Sequence, residues 1–277
     1  MRIALIRTAS VLLVIAGLAP ISAAAANWTV IGWNDLGMHC MDADYSVFAI
    51  LPPYNTIHAQ VIGPDGKVVT TQGAANVGYR ATIDASGSIT TSSIGRTDFW
   101  NTCPQIFGAS PALDQGLAGN LMPGAANTEQ PMHMDGAPPW YSAVGIPITP
   151  YDDGGHKNPY PMMRLTARDG LANALASTDI VLPVSDEMDC RACHASGSGD
   201  AAKPKAGWVD NADAQRDYRL NILRLHDDRQ LANATYTAAL GALSLNAAGL
   251  YASATTDNHP MLCAACHASN ALPGTGI

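Results

Sequence analysis

A chain of 277 residues with 15 Lys+Arg against 23 Asp+Glu carries a formal net charge of −8. It has no basic run and so is a poor nucleic-acid binder, and after residue 26 no apolar stretch is long enough to cross a bilayer as a helix. Aromatic residues make up only 6% of the chain, which leaves room for a large flat apolar group to complete a core.

The first 26 residues read as a targeting segment. Arg2 and Arg7 form a positive start, Ala9 to Leu18 an apolar run too short to span a membrane, and Ala24-Ala25-Ala26 a small-residue cleavage pattern. A mature, exported chain beginning at Asn27 is expected, in the periplasm or at the cell surface. No integral membrane segment is expected in that mature chain.

Residues 27–185 carry β signals. Ile57 to Ile62 is β-prone, Gly63-Pro64-Asp65-Gly66 is turn chemistry, and Lys67 to Thr71 reads as the returning strand. Tyr79 to Ile83 and Ser88 to Thr91 repeat that plan, and Met163 to Ala167 with Thr178 to Leu182 form a later pair. Pro104 to Pro161 is rich in Pro, Gly and Asn and is expected to be a long structured loop over the sheet. The β signal stops at Asp186. Asp213 to Asp228 then reads as a helix with Tyr218, Ile222 and His226 on one face, and an alanine-rich helix is expected within Leu231 to Leu250. The fold class is therefore α+β: a sandwich-like β domain over 27–185, then a small helical region over 186–277 that needs a cofactor to fill its core.

Cys190-Arg191-Ala192-Cys193-His194 and Cys263-Ala264-Ala265-Cys266-His267 repeat one C-x-x-C-H pattern. At that spacing two thiols on one helical turn can form thioethers to a porphyrin edge while the adjacent His reaches the iron. Chance supplies roughly 0.004 such matches in this composition. Zinc ribbons place about 15–20 residues between their cysteine pairs, whereas 69 intervene here. A thioredoxin-like pair needs a single motif in a βαβ setting. Two covalent c-type haems are the expectation, held by Cys190, Cys193, Cys263 and Cys266, with His194 and His267 on the irons.

Among the other histidines, His226 is the expected sixth ligand, and for the haem of His194, because it shares a helix face with Tyr218 and Ile222. Asp227 and Asp228 follow, and either can accept from its free ring nitrogen or from another donor, although the next residue on a helix points away. His259 lies four residues before Cys263, too close to serve its own haem, and can only serve the other. Ala268 to Ile277 contain neither His nor Met. The iron at His267 is thus expected to be completed by a partner or by further chain rather than by His259, His39 or His133. Cys40 and Cys103 remain, and an even remainder in an exported protein predicts one disulfide. Met38-His39-Cys40-Met41 and Met132-His133-Met134 offer soft copper donors, but methionine is equally a core residue. Asp152-Asp153-Gly154-Gly155 lacks alternating oxygen ligands and reads as a turn.

Taken together, Trp33 to Asp42, Val184 to Asp189 and Asn221 to Asp227 resemble a group of poorly characterised bacterial exported multihaem c-type cytochromes with a β-rich N-terminal region. The resemblance implies electron transfer outside the cytoplasm, in the periplasm or extracellularly, within a larger cytochrome complex. The acidic surface suits redox partners with basic docking faces. The alternative is a haem enzyme, a peroxidase or small-molecule reductase, with one iron site left open.

Overall fold

The computed structural model describes residues 27–270 except 36, 72 and 187–189, and also 272, 274 and 276. The expected targeting segment, residues 1–26, lies outside them. In chain order the strands of the first part are β1 (Thr29–Asn34), β2 (His39–Cys40), β3 (Phe48–Ala49), β4 (Asn55–Ile62) and β5 (Asn76–Thr82). Helix α1 (Phe99–Phe107) precedes β6 (Gln130–Pro131), β7 (His133–Met134), β8 (Tyr141–Ile146), β9 (Met162–Arg168), β10 (Ala174–Val181) and β11 (Val184–Ser185). Then come α2 (Arg191–His194), α3 (Ala214–Gln230), α4 (Ala234–Ala242), α5 (Leu250–Thr255) and β12 (Met261–Leu262). The fold is mixed α and β, as its sequence patterns predict.

Strand alternation explains the first part. Ile57, Ala59 and Val61 of β4, Val77, Tyr79 and Ala81 of β5, and Met163, Leu165 and Ala167 of β9 turn to one shared core. They belong to two antiparallel four-stranded sheets, β1-β4-β8-β7 and β10-β9-β5-β6. The sheets press together at Gly32 of β1, where a Cβ would run into Leu165 of β9 and meet Ile180 of β10 at 3.0 Å. A larger residue there would have to push the Leu165 side chain aside.

The structure corrects several expectations here. Residues 67–71 supply a single bridge, Ile62 to Val68, and 88–91 form no strand. The stretch expected to be loop contains the end of α1 and strands β6, β7 and β8. Cys40 lies on β2 and Cys103 in α1, and among the described residues both are thiols. Cys103 turns into the inter-sheet core with Phe99 and Ile106, and burial pushes its thiol up to about 11. Cys40 lies instead on the strand paired with β11.

Two parallel pairs tie distant parts of the chain together, and the second crosses the boundary expected at residue 185. β11 pairs with β2 (Val184 to His39), and β12 pairs with β3 (Met261 to Phe48). Around the second pair a smaller apolar cluster gathers Val47, Phe48, Leu220, Leu223, Ala254 and Met261. Helix α3 starts where its cap predicts, with the Asp213 carboxylate accepting from the Gln215 and Arg216 amides. Near its end, buried Asp227 accepts from Tyr236 Oη at 2.6 Å and from the Leu250 and Tyr251 amides at 2.9 and 2.8 Å, tying α4 and α5 to α3. Gly249 packs against that carboxylate at φ +116°, a place where a Cβ would collide with it. Among the described residues no helix is long and apolar enough to cross a membrane.

Candidate functional site

Both C-x-x-C-H segments fold into the same local shape. His194 N–H donates to Cys190 carbonyl at 3.0 Å, and His267 N–H donates to Cys263 carbonyl at 3.0 Å. The second cysteine of each closes the tighter bond, Cys193 to Cys190 at 3.3 Å and Cys266 to Cys263 at 3.2 Å. Each motif is one helical turn.

Each turn is anchored by distant residues. For the first, Asn221 of α3 is fully buried and donates to the His194 carbonyl at 3.0 Å while accepting from Val209 N–H at 2.9 Å. Its neighbour Asp217 accepts from Ser196 N–H and Oγ, each at 2.7 Å, and from Asn211 N–H at 2.8 Å. Those three donors hold the Asp217 carboxyl below its ordinary range although burial acts to raise it. For the second, the β3–β12 pair ends where Cys263 begins. Beside that pair, Asp42 accepts from the Ile50 and Leu51 amides at 2.8 and 3.0 Å and fixes the turn after β3. Burial with nearby Asp42 and Cys266 pushes the Cys263 thiol up to about 12.

The two turns face one cavity of about 930 Å³, near the upper end of the range of about 300–1,000 Å³ typical of ligand and cofactor sites. Cys190 and His194 line it from the first motif, and Cys263, Cys266 and His267 from the second. Cys193 lies at the exposed side of its turn. The wall between them is largely apolar, with Phe48 of β3, Ile106 of α1, Ile222 and Leu223 of α3, Tyr236 of α4 and Leu250 of α5. Helix α3 contributes Ile222, His226 and Gln230, one face at a four-residue spacing. Tyr218 does not line the cavity. It is buried one turn earlier, its ring 4.6 Å from the Arg219 guanidinium carbon.

Four histidines therefore line one cavity: His194, His226, His259 and His267. The Nδ1 atoms of His194 and His226 are buried with no hydrogen-bond partner. Burial lowers the pKa of both, helped at His194 by Arg229 and at His226 by His267, and opposed at His226 by Asp227. Neutral imidazoles with a lone pair to donate are the result. The His226 ring lies 5.1 Å from Tyr236 and 6.4 Å from His267, nearly perpendicular to the latter at 82°. The His226 ring thus lies beside the imidazole of the second motif, within the cavity that His194 of the first also lines. Asp227 is committed to Tyr236 and α5 and takes no bond from His226; Asp228 accepts from the Lys205 amide on the exposed side.

The remaining histidines are engaged elsewhere. His39 bonds Pro52 carbonyl at 2.9 Å and lies against Tyr54, and His58 bridges Asp35 and Ser142, each at 2.8 Å. His133 is exposed on β7, and His156 pairs with Asp152 at 3.4 Å. The two methionine-rich segments are split between core and surface, with Met41 and Met132 buried and His133 exposed. Among the described residues no three His, Cys, Asp or Glu side chains converge to hold a bare metal ion.

Sequence reasoning missed Phe48, Ile106, Tyr236 and Met261, which reach the cavity from four separate elements. Only Tyr236, one of nine tyrosines, had a local signal, as an aromatic in an alanine-rich helix. Comparison of the chain with protein-family models, with curated proteins and with solved structures finds no match.

Proposed function

We propose that this chain is a dihaem c-type cytochrome that transfers electrons, with each C-x-x-C-H turn holding one covalent haem. The observation that carries the reading is the single apolar cavity onto which both turns and two further histidines open. The fit extends to the donor atoms. Cys190, Cys263 and Cys266 line the cavity with the motif imidazoles, the Nδ1 atoms of His194 and His226 are buried without hydrogen-bond partners, burial favours neutral rings, and the wall is apolar enough to cover a porphyrin face. When bound, haem supplies an iron centre that accepts and returns one electron at a time.

The chain's own residues then have distinct tasks. Cys190, Cys193, Cys263 and Cys266 tether the cofactors, and His194 and His267 ligate them. Ile222, Leu223, Phe48 and Leu250 keep water from the cavity, which raises the influence of nearby charge on potential. Asn221 and Asp217 hold the first turn against α3. The β part is read as a docking or assembly module, and the helical part after residue 185 as the haem-organised region. Residues 1–26 support export, and the charge of −8 favours partners with basic faces. The resemblance to exported multihaem cytochromes points the same way.

An enzyme needs an iron position left open to substrate. The facing of His267 by His226 at 6.4 Å disfavours that at the second motif. An optically monitored redox titration of the purified protein tests the reading: reversible one-electron steps at two centres are expected, with negligible turnover of peroxide. Rapid peroxide consumption with a persistent high-spin signal would overturn it in favour of the enzyme.

A further inference from the structure

We infer that the four cavity histidines pair across the two motifs, His226 with His267 on one iron and His259 with His194 on the other. This rests on the dihaem reading and reverses the pairing that chain order suggests.

The first pair follows from a length. Two imidazoles on opposite sides of one metal ion stand about 6.3 Å apart between ring centres, from about 2.0–2.1 Å per metal–nitrogen bond and about 1.1 Å within each ring. His226 and His267 stand 6.4 Å apart. A direct N–H···N bond would draw the centres to about 5 Å, and the 82° angle between the planes rules out stacking. Neither ring has a hydrogen bond to another side chain among the described residues, and His226 Nδ1 is buried without a partner. His226 is held from below by α3, whose end is locked by Asp227 to α4 and α5. The ring is therefore fixed opposite His267 by the same network that builds the cavity wall.

The second pair follows from what is left. With His226 committed to His267, His194 needs a ligand from the same cavity, and His259 is the remaining histidine that lines it. His39, His58 and His156 have their rings bonded elsewhere, and His133 is exposed on an edge strand. His259 is positioned through its backbone, which donates to Ser253 carbonyl at 2.9 Å, and its ring is half-buried with no competing side-chain bond among the described residues. Met261, two residues on, also lines the cavity, but its side chain is buried in the cluster with Phe48, Leu220 and Leu223. Placing His259 just before Cys263 puts the ligand of one haem beside the tether of the other, so a single stretch of backbone, 259–267, serves both.

The test uses the full chain with both haems attached and reads spin state by EPR, with haem content read separately by intact mass. His226→Ala should convert half of the low-spin iron to high spin, and His226→Ala/His259→Ala all of it. The decisive variant is His226→Ala/His267→Ala. If both histidines serve one iron, half of the low-spin signal survives. If His226 serves the haem of His194, none survives and the inference fails. Low-spin iron persisting in His226→Ala/His259→Ala would identify Met261 or another donor and overturn the second pair. Added imidazole should restore the low-spin signal of His226→Ala, which separates a lost ligand from a damaged fold; failure of that rescue also counts against the pairing. Mass showing no haem on the parent chain would sink the dihaem reading itself, an outcome distinct from all of these.

Discussion

Asp42 is 2% exposed, and burial pushes its carboxyl up to about 6, against the lowering by the Leu51 and Ile50 amides and by Arg219, with Asp44 adding repulsion. Its surroundings also include Tyr45, Tyr218 and Cys263, each of which feels its charge. An acid of ordinary pKa 3.8 raised to about 6 binds its proton more tightly in the folded state. Its contribution to stability is thus fully present below the unfolded pKa and is lost as pH rises through the folded one. The difference amounts to about 3 kcal/mol by neutral pH. Asp42→Asn keeps an oxygen to accept from the Ile50 and Leu51 amides and removes the titration. The variant should therefore match the parent near pH 4 and exceed it by up to about 3 kcal/mol near pH 7. Denaturant unfolding across that range, at matched slopes, gives the difference directly. A gap that stays constant with pH, or a parent that gains on the variant as pH rises, would refute the reasoning.

Other changes probe the supports of the site. Asn221→Leu takes a partner from the half-buried His194 carbonyl and Val209 amide, a loss of about 1–3 kcal/mol, and should loosen the first motif selectively; a denaturant melt with a parental midpoint would contradict it. Asp227→Ala removes the acceptor of Tyr236, Leu250 and Tyr251 together and should cost about 3 kcal/mol or more, with Asp227→Asn intermediate, as read by thermal unfolding. Cys103, with a thiol pushed up to about 11 in the core, should resist alkylation while folded and react once unfolded. No reaction after unfolding without reductant would instead establish the Cys40–Cys103 bond expected from the sequence.

How far these features could be read from the chain depends on how local their causes are. Asp213 caps α3 as its side chain predicts, and the strands around Ile57 to Ile62 and Met163 to Ala167 follow from alternation over a single core face. Helix α1 was hidden because Pro104 sits inside it and Pro/Gly-rich flanks surround it, although Phe99, Cys103 and Ile106 keep a helical period. Strands β6 and β7 are two residues each, too short for any period to register. The motifs were legible because five consecutive residues carry all their chemistry. The partner of His226 was not. Its place on a cavity-facing helix surface is local, but the motif it faces is set by the pairing of Phe48–Ala49 with Met261–Leu262, which joins positions more than two hundred residues apart. Chain distance favours His194, and tertiary placement favours His267.

The claim on which the rest depends is covalent attachment of haem at both motifs. Intact mass of the purified protein after denaturation and acid–organic extraction tests it directly. The account predicts a polypeptide that retains two haem additions, falling to one when both cysteines of either motif are replaced by Ala. Haem released into the organic phase, or a polypeptide of unmodified mass, would contradict it.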